Sequence, residues 1–202
     1  CSWREQPLLL TAVWAASWVF LAKKRLKSEP HRSRIETGMR LQNRQVLLAR
    51  RPAGALRTDD FTVRTGELSE ELAPGEILVR NLFVSIDPYQ RLLAGGGETF
   101  TQAVSVGEPM PGWSAGEVIA SREPGLSPGE KVVTYLGWQL FGICRGESVR
   151  KVGQRGLSLS AYLGVAGMPG VTAYRGIFDI GRPKAGETVV VSAAAGAVGS
   201  VA

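Results

Sequence analysis

The sequence is poor in the residues from which metal centres and acyl-transfer sites are built. It holds one histidine, His31, and two cysteines, Cys1 and Cys144. Those three residues cannot supply a four-ligand Cys/His zinc site, and two cysteines cannot build a disulfide framework. A lone histidine near the start nearly excludes serine-histidine catalysis. A concentrated basic face is missing as well. Of the net charge of +6, residues 1–38 carry +4, with seven Lys/Arg against three Glu. The other 164 residues carry 17 Lys/Arg against 15 Asp/Glu, which leaves the body too close to neutral for a nucleic-acid reader.

What is there reads as a soluble globular chain. Hydrophobic residues make up 44% and charged residues 21%, so wholesale disorder and a multi-span membrane protein are disfavoured. The 25 glycines and 11 prolines ask for many turns. Residues 1–38 stand apart as an extension outside any domain. Pro7 to Ala22 is an uncharged run followed at once by Lys23, Lys24, Arg25 and Lys27. As a helix it reaches about 24 Å, short of the roughly 30 Å hydrocarbon core. Three readings stay open for it: a translated upstream extension, since Met39 precedes what looks like a natural start; a membrane or interface anchor through residues 7–22; and a targeting peptide, although its charge follows the apolar run instead of preceding it. An anchor would leave the body on the cytoplasmic side.

From Gln42 onward, short strand-like runs alternate with turns, as in a small β-barrel. The expected strands are Gln45 to Ala49, Phe61 to Thr65, Glu76 to Ile86, Ser114 to Ser121, Lys131 to Leu136 and Ser148 to Lys151. Ala73-Pro74-Gly75-Glu76 and Ser127-Pro128-Gly129-Glu130 place proline before glycine, which presets one turn residue at negative φ and lets the next turn positive. The run at 67–71, rich in glutamate, reads as a solvated loop. Tyr135, Trp138 and Phe141 read as barrel packing, with a substrate box as the lesser alternative, and Cys144 as a small buried hydrophobe.

Near residue 165 the rhythm changes. Val171, Tyr174, Ile177 and Phe178 recur at helical spacing, and Gly181 is placed to end that helix. Thr188-Val189-Val190-Val191 then reads as a strand buried on both faces, of the kind found in parallel sheets. It runs into Ala194-Ala195-Gly196-Ala197-Val198-Gly199, an A-x-G-x-x-G variant of the dinucleotide fingerprint. There Gly196 would let the backbone approach a diphosphate, Gly199 would allow close helix packing, and the helix start would present open N–H groups. A plain small-residue turn is the competing reading.

Phe83-Val84-Ser85-Ile86-Asp87-Pro88-Tyr89-Gln90-Arg91, Gly167-Met168-Pro169-Gly170-Val171-Thr172-Ala173-Tyr174 and the stretch Val191 to Ser200 occur in that order. Together they resemble the zinc-independent medium-chain dehydrogenase/reductases, in the branch of prostaglandin reductases, leukotriene B4 dehydrogenases and bacterial curcumin reductases. The likeness covers about residues 42–202. It implies a mainly β fold, with a GroES-like barrel over 39–165 and, over 166–202, the first strand and turn of an incomplete Rossmann domain that binds NADPH. The implied chemistry is hydride transfer to the C=C bond of an α,β-unsaturated aldehyde or ketone, in a cytoplasmic enzyme that is a homodimer at full length. Zinc-binding members place histidine after glycine where this chain has Gly112-Trp113, so the enolate would be stabilised by hydrogen-bond donors instead.

The resemblance also implies site residues. Met168 and Thr172 meet the nicotinamide; Gly196, Ala197, Val198, Gly199 and Ser200 form the diphosphate turn; Tyr89 faces the substrate. Each has a plainer alternative: helix capping for Thr172, packing for Met168, a turn aromatic for Tyr89. Asp87 reads as a turn former. No catalytic residue and no metal ligand is assigned. The sequence stops three residues past Gly199, before the discriminator of the 2′-phosphate expected about 20 residues beyond the glycines. The strand at 188–192 would therefore lack neighbours, and the chain by itself is expected to be inactive. A noncatalytic product that acts through partner binding, attached to membrane through residues 7–22, is the alternative function.

Overall fold

The structure, a computed structural model, describes residues 40–96, 102–153 and 156–202, together with the backbone of the two-residue strand β1 (Trp18–Val19). The other strands are β2 (Arg40–Leu48), β3 (Phe61–Ser69), β4 (Glu76–Ile86), β5 (Ser114–Ser121), β6 (Lys131–Thr134), β7 (Phe141–Arg145) and β8 (Arg150–Val152). All pairings are antiparallel. One sheet runs β1-β4-β5-β6-β8 with β7 also paired to β4, over Glu76 to Arg80, and β2-β3 form a second. The second is stitched to the first through β2. The Val46 N–H donates to the Trp138 carbonyl at 2.9 Å, the Leu140 N–H to the Arg44 carbonyl at 3.0 Å, and the Met110 N–H to the Val46 carbonyl at 2.9 Å. These bonds close the strands into a barrel.

The proline-glycine turns do what their composition demands. Gly75 and Gly129 sit at φ +81° and +90°. In each turn the glutamate that follows reaches back, Glu76 accepting from the Ala73 N–H and Glu130 from the Ser127 N–H. Beyond the turns, β4 buries Ile77, Leu78 and Val79 in succession. Strict alternation would bury every second residue, and the register shift at Leu78/Val79 accounts for the exception. Ile77 and Val79 pack with Val118 and Val132. Each such side chain contributes about 1.5–3 kcal/mol on burial.

Several expectations need correcting. Residues 67–69 are strand, not loop, because β3 pairs with β2 as far as Ser69 and the Arg40 guanidinium holds Glu67 at 2.6 Å. β6 stops at Thr134, and β7 was not anticipated. The helical segment is α2 (Met168–Tyr174), continued by a π-helical turn over Arg175–Gly181. Arg182, at φ +47°, takes the left-handed terminal position expected of Gly181. The largest departure is at 188–191. Those residues join no strand, and Val189 and Val190 are 45% and 59% exposed. A parallel strand is held only by neighbours brought alongside through crossovers, and no strand lies beside this one among the described residues.

Of the apolar run 7–22, only Trp18 and Val19 are described. They are extended, opposite Ile86 and Ser85, not helical. The rest of that run, the basic cluster behind it and His31 lie outside the described residues. Among those that are described, no helix is long and apolar enough to cross a membrane.

Candidate functional site

A cleft of about 900 Å³ opens between the barrel mouth and α2. The barrel contributes Tyr89, Trp113 and Tyr135; the segment beyond it contributes Met168, Thr172 and Val198. Four of the residues expected at a site from sequence therefore share one cavity. Gly196, Ala197, Gly199 and Ser200 lie in the turn that carries Val198.

Tyr89 opens the short helix α1 (Tyr89–Gly95) directly after β4 and Asp87-Pro88. The buried Gln90 side chain fixes this turn. Its Oε1 accepts from the Asp87 N–H at 2.8 Å, and its Nε2 donates to the Ser85 carbonyl at 3.2 Å and the Pro111 carbonyl at 2.8 Å. Gly112 makes room for this clamp, since a Cβ there would lie 2.4 Å from Gln90 Nε2. The Tyr89 hydroxyl donates to the Tyr135 hydroxyl at 3.3 Å. Burial, and then that bond, push the Tyr89 phenol far above its ordinary value, so it stays neutral. With Tyr89 as donor, the Tyr135 hydroxyl makes no other hydrogen bond among the described residues and can turn its proton toward a ligand.

Tyr135 is thus a cleft residue and not the packing aromatic expected of it, because β6 ends one residue earlier and releases its side chain. Trp138 does pack inward, with Leu48, Ala94 and Met110, and its indole donates to the Ser85 carbonyl at 3.2 Å. Cys144 is half-buried against the core, and burial raises its thiol pKa.

On the opposite wall, the Gly167-Met168-Pro169-Gly170 motif sets α2 down tightly. Gly167 is its N-cap and Pro169 lies in its first turn. A Cβ on Gly170 would lie 1.8 Å from the Val165 carbonyl oxygen, so only glycine lets the helix sit there. Met168 is 66% exposed into the cleft region. Thr172 is not the helix cap: it lies one turn in, and its hydroxyl donates back to the Met168 carbonyl at 2.8 Å.

The glycine segment is a run of successive turns over residues 192–201 and not the helix start the fingerprint leads one to expect. The Ser200 N–H donates to the Gly196 carbonyl at 2.9 Å, and the Ala202 N–H to the Val198 carbonyl at 3.1 Å. The Gly196 N–H is taken by the Ala193 carbonyl at 2.8 Å, and Gly196 is buried, so it is not the point of open approach expected of it. The N–H groups of Ala197, Val198 and Gly199 donate to no acceptor among the described residues. Gly199 supplies the tight fit, but within the loop itself, where a Cβ would lie 2.4 Å from the Ala193 carbonyl oxygen. Three adjacent backbone N–H groups left open in one turn suit a diphosphate.

Residues 44–152 match the family model described as the N-terminal domain of oxidoreductase. The chain belongs to that oxidoreductase family. It falls in the zinc-independent branch of medium-chain dehydrogenase/reductases that its motifs resemble. It is 38% identical over 159 residues to the NADPH-dependent curcumin reductase of Escherichia coli, covering 79% of this chain and 46% of the relative. It is 43% identical over 145 residues to prostaglandin reductase 1 of Rattus norvegicus, covering 70% and 42%. Among solved structures, CurA of Vibrio vulnificus in complex with NADPH matches at a TM-score of 0.70 with 41% identity, over 78% of this chain and 47% of that one. The chain spans about half the length of the relatives it matches.

The sequence carried faint signals for both Trp113 and Tyr135 as cleft residues: Trp113 follows the glycine after which zinc-binding members place histidine, and Tyr135 had a substrate box as its lesser reading, but an exposed aromatic at a strand end looks the same as a packing one. Gln90 could have been found. A buried glutamine next to a turn tyrosine, inside a motif already singled out, is a residue that must be hydrogen-bonded to be buried at all.

Proposed function

We propose that this chain forms the substrate side of an NADPH-dependent reductase of the C=C bond of α,β-unsaturated aldehydes and ketones. Residues 39–165 are its substrate domain and 166–202 the opening of its nucleotide domain. The observation that carries this reading is the shared cleft: Tyr89 and Tyr135 on one wall, Met168, Thr172 and Val198 on the other. The relatives, a curcumin reductase named for NADPH and a structure holding NADPH, support the cofactor. A cytoplasmic homodimer goes with the same reading.

Bound at the glycine turn, NADPH would supply the hydride for the β-carbon of the enone. The N–H groups of Ala197, Val198 and Gly199 would hold the diphosphate as a concave set of backbone donors. Met168 and Thr172 face the nicotinamide end. Tyr135, which accepts from Tyr89, donates its own proton to the substrate carbonyl oxygen, and Tyr89 holds Tyr135 in place. A neutral donor aimed at the oxygen on which negative charge accumulates does here what a metal ion does in zinc-binding relatives.

Titration of the ¹⁵N-labelled chain with NADPH tests this. Weak binding, with shifts concentrated at the Ala197, Val198, Gly199 and Thr172 amides, is expected. Absence of shifts at millimolar NADPH, or shifts confined to the far side of the barrel, would overturn the reading.

A further inference from the structure

Trp113 is the large element of the cleft wall that the chemistry above does not use. Its backbone is fixed from two directions: the Ser85 N–H donates to the Trp113 carbonyl at 2.8 Å, and the Gly137 N–H to the Gly112 carbonyl at 2.9 Å. Its indole meets the Tyr135 ring edge to face, with centroids 5.3 Å apart and planes at 77°. Tyr135 is bonded in turn to Tyr89. Three aromatic side chains therefore run in contact along one wall. Trp113 is 40% exposed and Tyr135 46% exposed, although the two rings brace each other and Tyr89 bonds Tyr135. Trp138, by contrast, is tucked against Leu48 and Met110. Rigid aromatic rings kept open to a cavity offer π-faces and edges at little entropic cost.

Resting on the reductase reading above, we propose that Trp113 determines specificity at the substrate end, so that the cleft takes planar enones conjugated to an aromatic ring in preference to straight-chain ones. An aryl ring adds an edge-to-face or offset contact with the indole. A chain of methylenes of similar length gains only burial and loses rotamer freedom on binding. The added contact is worth roughly three- to tenfold in affinity. The charged groups on the lining are Asp87, Glu147 and Arg150, of mixed sign, so the selection is by ring and not by charge.

The test is a titration of the ¹⁵N-labelled full chain with 4-phenylbut-3-en-2-one and with oct-3-en-2-one, for the native protein, Trp113→Leu and Trp113→Phe. The native chain binds the phenyl enone about three- to tenfold more tightly. Trp113→Leu abolishes that preference while holding the octenone affinity within about twofold, and Trp113→Phe restores it. Equal affinities in the native chain, or a preference that survives Trp113→Leu, overturn the assignment of Trp113 and leave the reductase reading standing. If neither enone perturbs the cleft amides, both fall together. Should Trp113→Leu fail to fold, the native ratio and the Trp113→Phe ratio decide the question.

Discussion

The barrel and the segment that follows it both contain abundant apolar residues and dispose of them in opposite ways. Ile77, Leu78, Val79, Val118 and Val132 are wholly buried. From Val165 onward, Met168, Val171, Tyr174, Phe178, Ile180, Val189 and Val190 are all at least 45% exposed, and among the described residues only the small Pro169 and Ala173 side chains of α2 are buried apolar groups there. The difference lies in where partners come from. An antiparallel strand finds its neighbour one turn away, so the barrel completes itself from local signals. A β-branched run of the parallel kind depends on strands reached through crossovers. The barrel is therefore a finished wall, and α2 with the glycine turn is a wall whose outer face is unpartnered among the described residues.

That contrast can be broken most forcefully by activity. The purified chain is expected to show no enal-dependent oxidation of NADPH above the protein-free rate, because the glycine turn hangs on an unpaired segment. Turnover followed at the nicotinamide absorbance would show that the turn is held well enough without a sheet. Next in size is a pair of core substitutions read by urea unfolding. Ile77→Ala should cost about 2–5 kcal/mol through lost burial and a cavity. Val190→Ala should stay within about 0.5 kcal/mol. Comparable losses at both positions would mean that residues 188–191 are packed after all.

A subtler probe uses one turn found in both regions. Lys184-Ala185-Gly186-Glu187 repeats the barrel turns: Gly186 is at φ +91°, and Glu187 accepts from the Lys184 N–H at 2.8 Å. Gly129→Ala should cost about 1 kcal/mol of global stability. Gly186→Ala should leave the unfolding midpoint unmoved, since that turn links nothing buried. The smallest expected effect is on acid stability. The Arg57 N–H first, and then the Arg50 guanidinium at 2.9 Å, hold the Asp60 carboxyl below its ordinary value. A folded value below the unfolded one adds stability above roughly pH 4, which is lost as pH falls through the folded value. Asp60→Asn should flatten the acid limb of the midpoint-against-pH curve. An unchanged limb would remove Asp60 from the account.

Much of the barrel was legible because its punctuation is chemical. Glu76–Ile86 and Ser114–Ser121 were placed to the residue, each next to a turn or strand whose composition fixes its geometry. β7 is hard to read because Gly137, at φ +72°, stands apart from it behind the apolar Trp138 and Leu140, and Gly142 and Cys144 dilute its pattern. Its place is set by pairing with β4, a contact distant in sequence. The site divides the same way. Tyr89, Met168, Thr172 and Val198 could be proposed from motifs, whereas Trp113 and Tyr135 become cleft residues only once β5 and β6 bring them side by side.

The central claim is that the two walls enclose one binding site. Hydrogen exchange of the chain with NADPH and 4-phenylbut-3-en-2-one present together measures it directly. The account predicts joint slowing in 85–91, 133–136, 168–174 and 197–199, greater than with either ligand by itself. Slowing confined to one wall, or equal to the sum of independent effects, would contradict it.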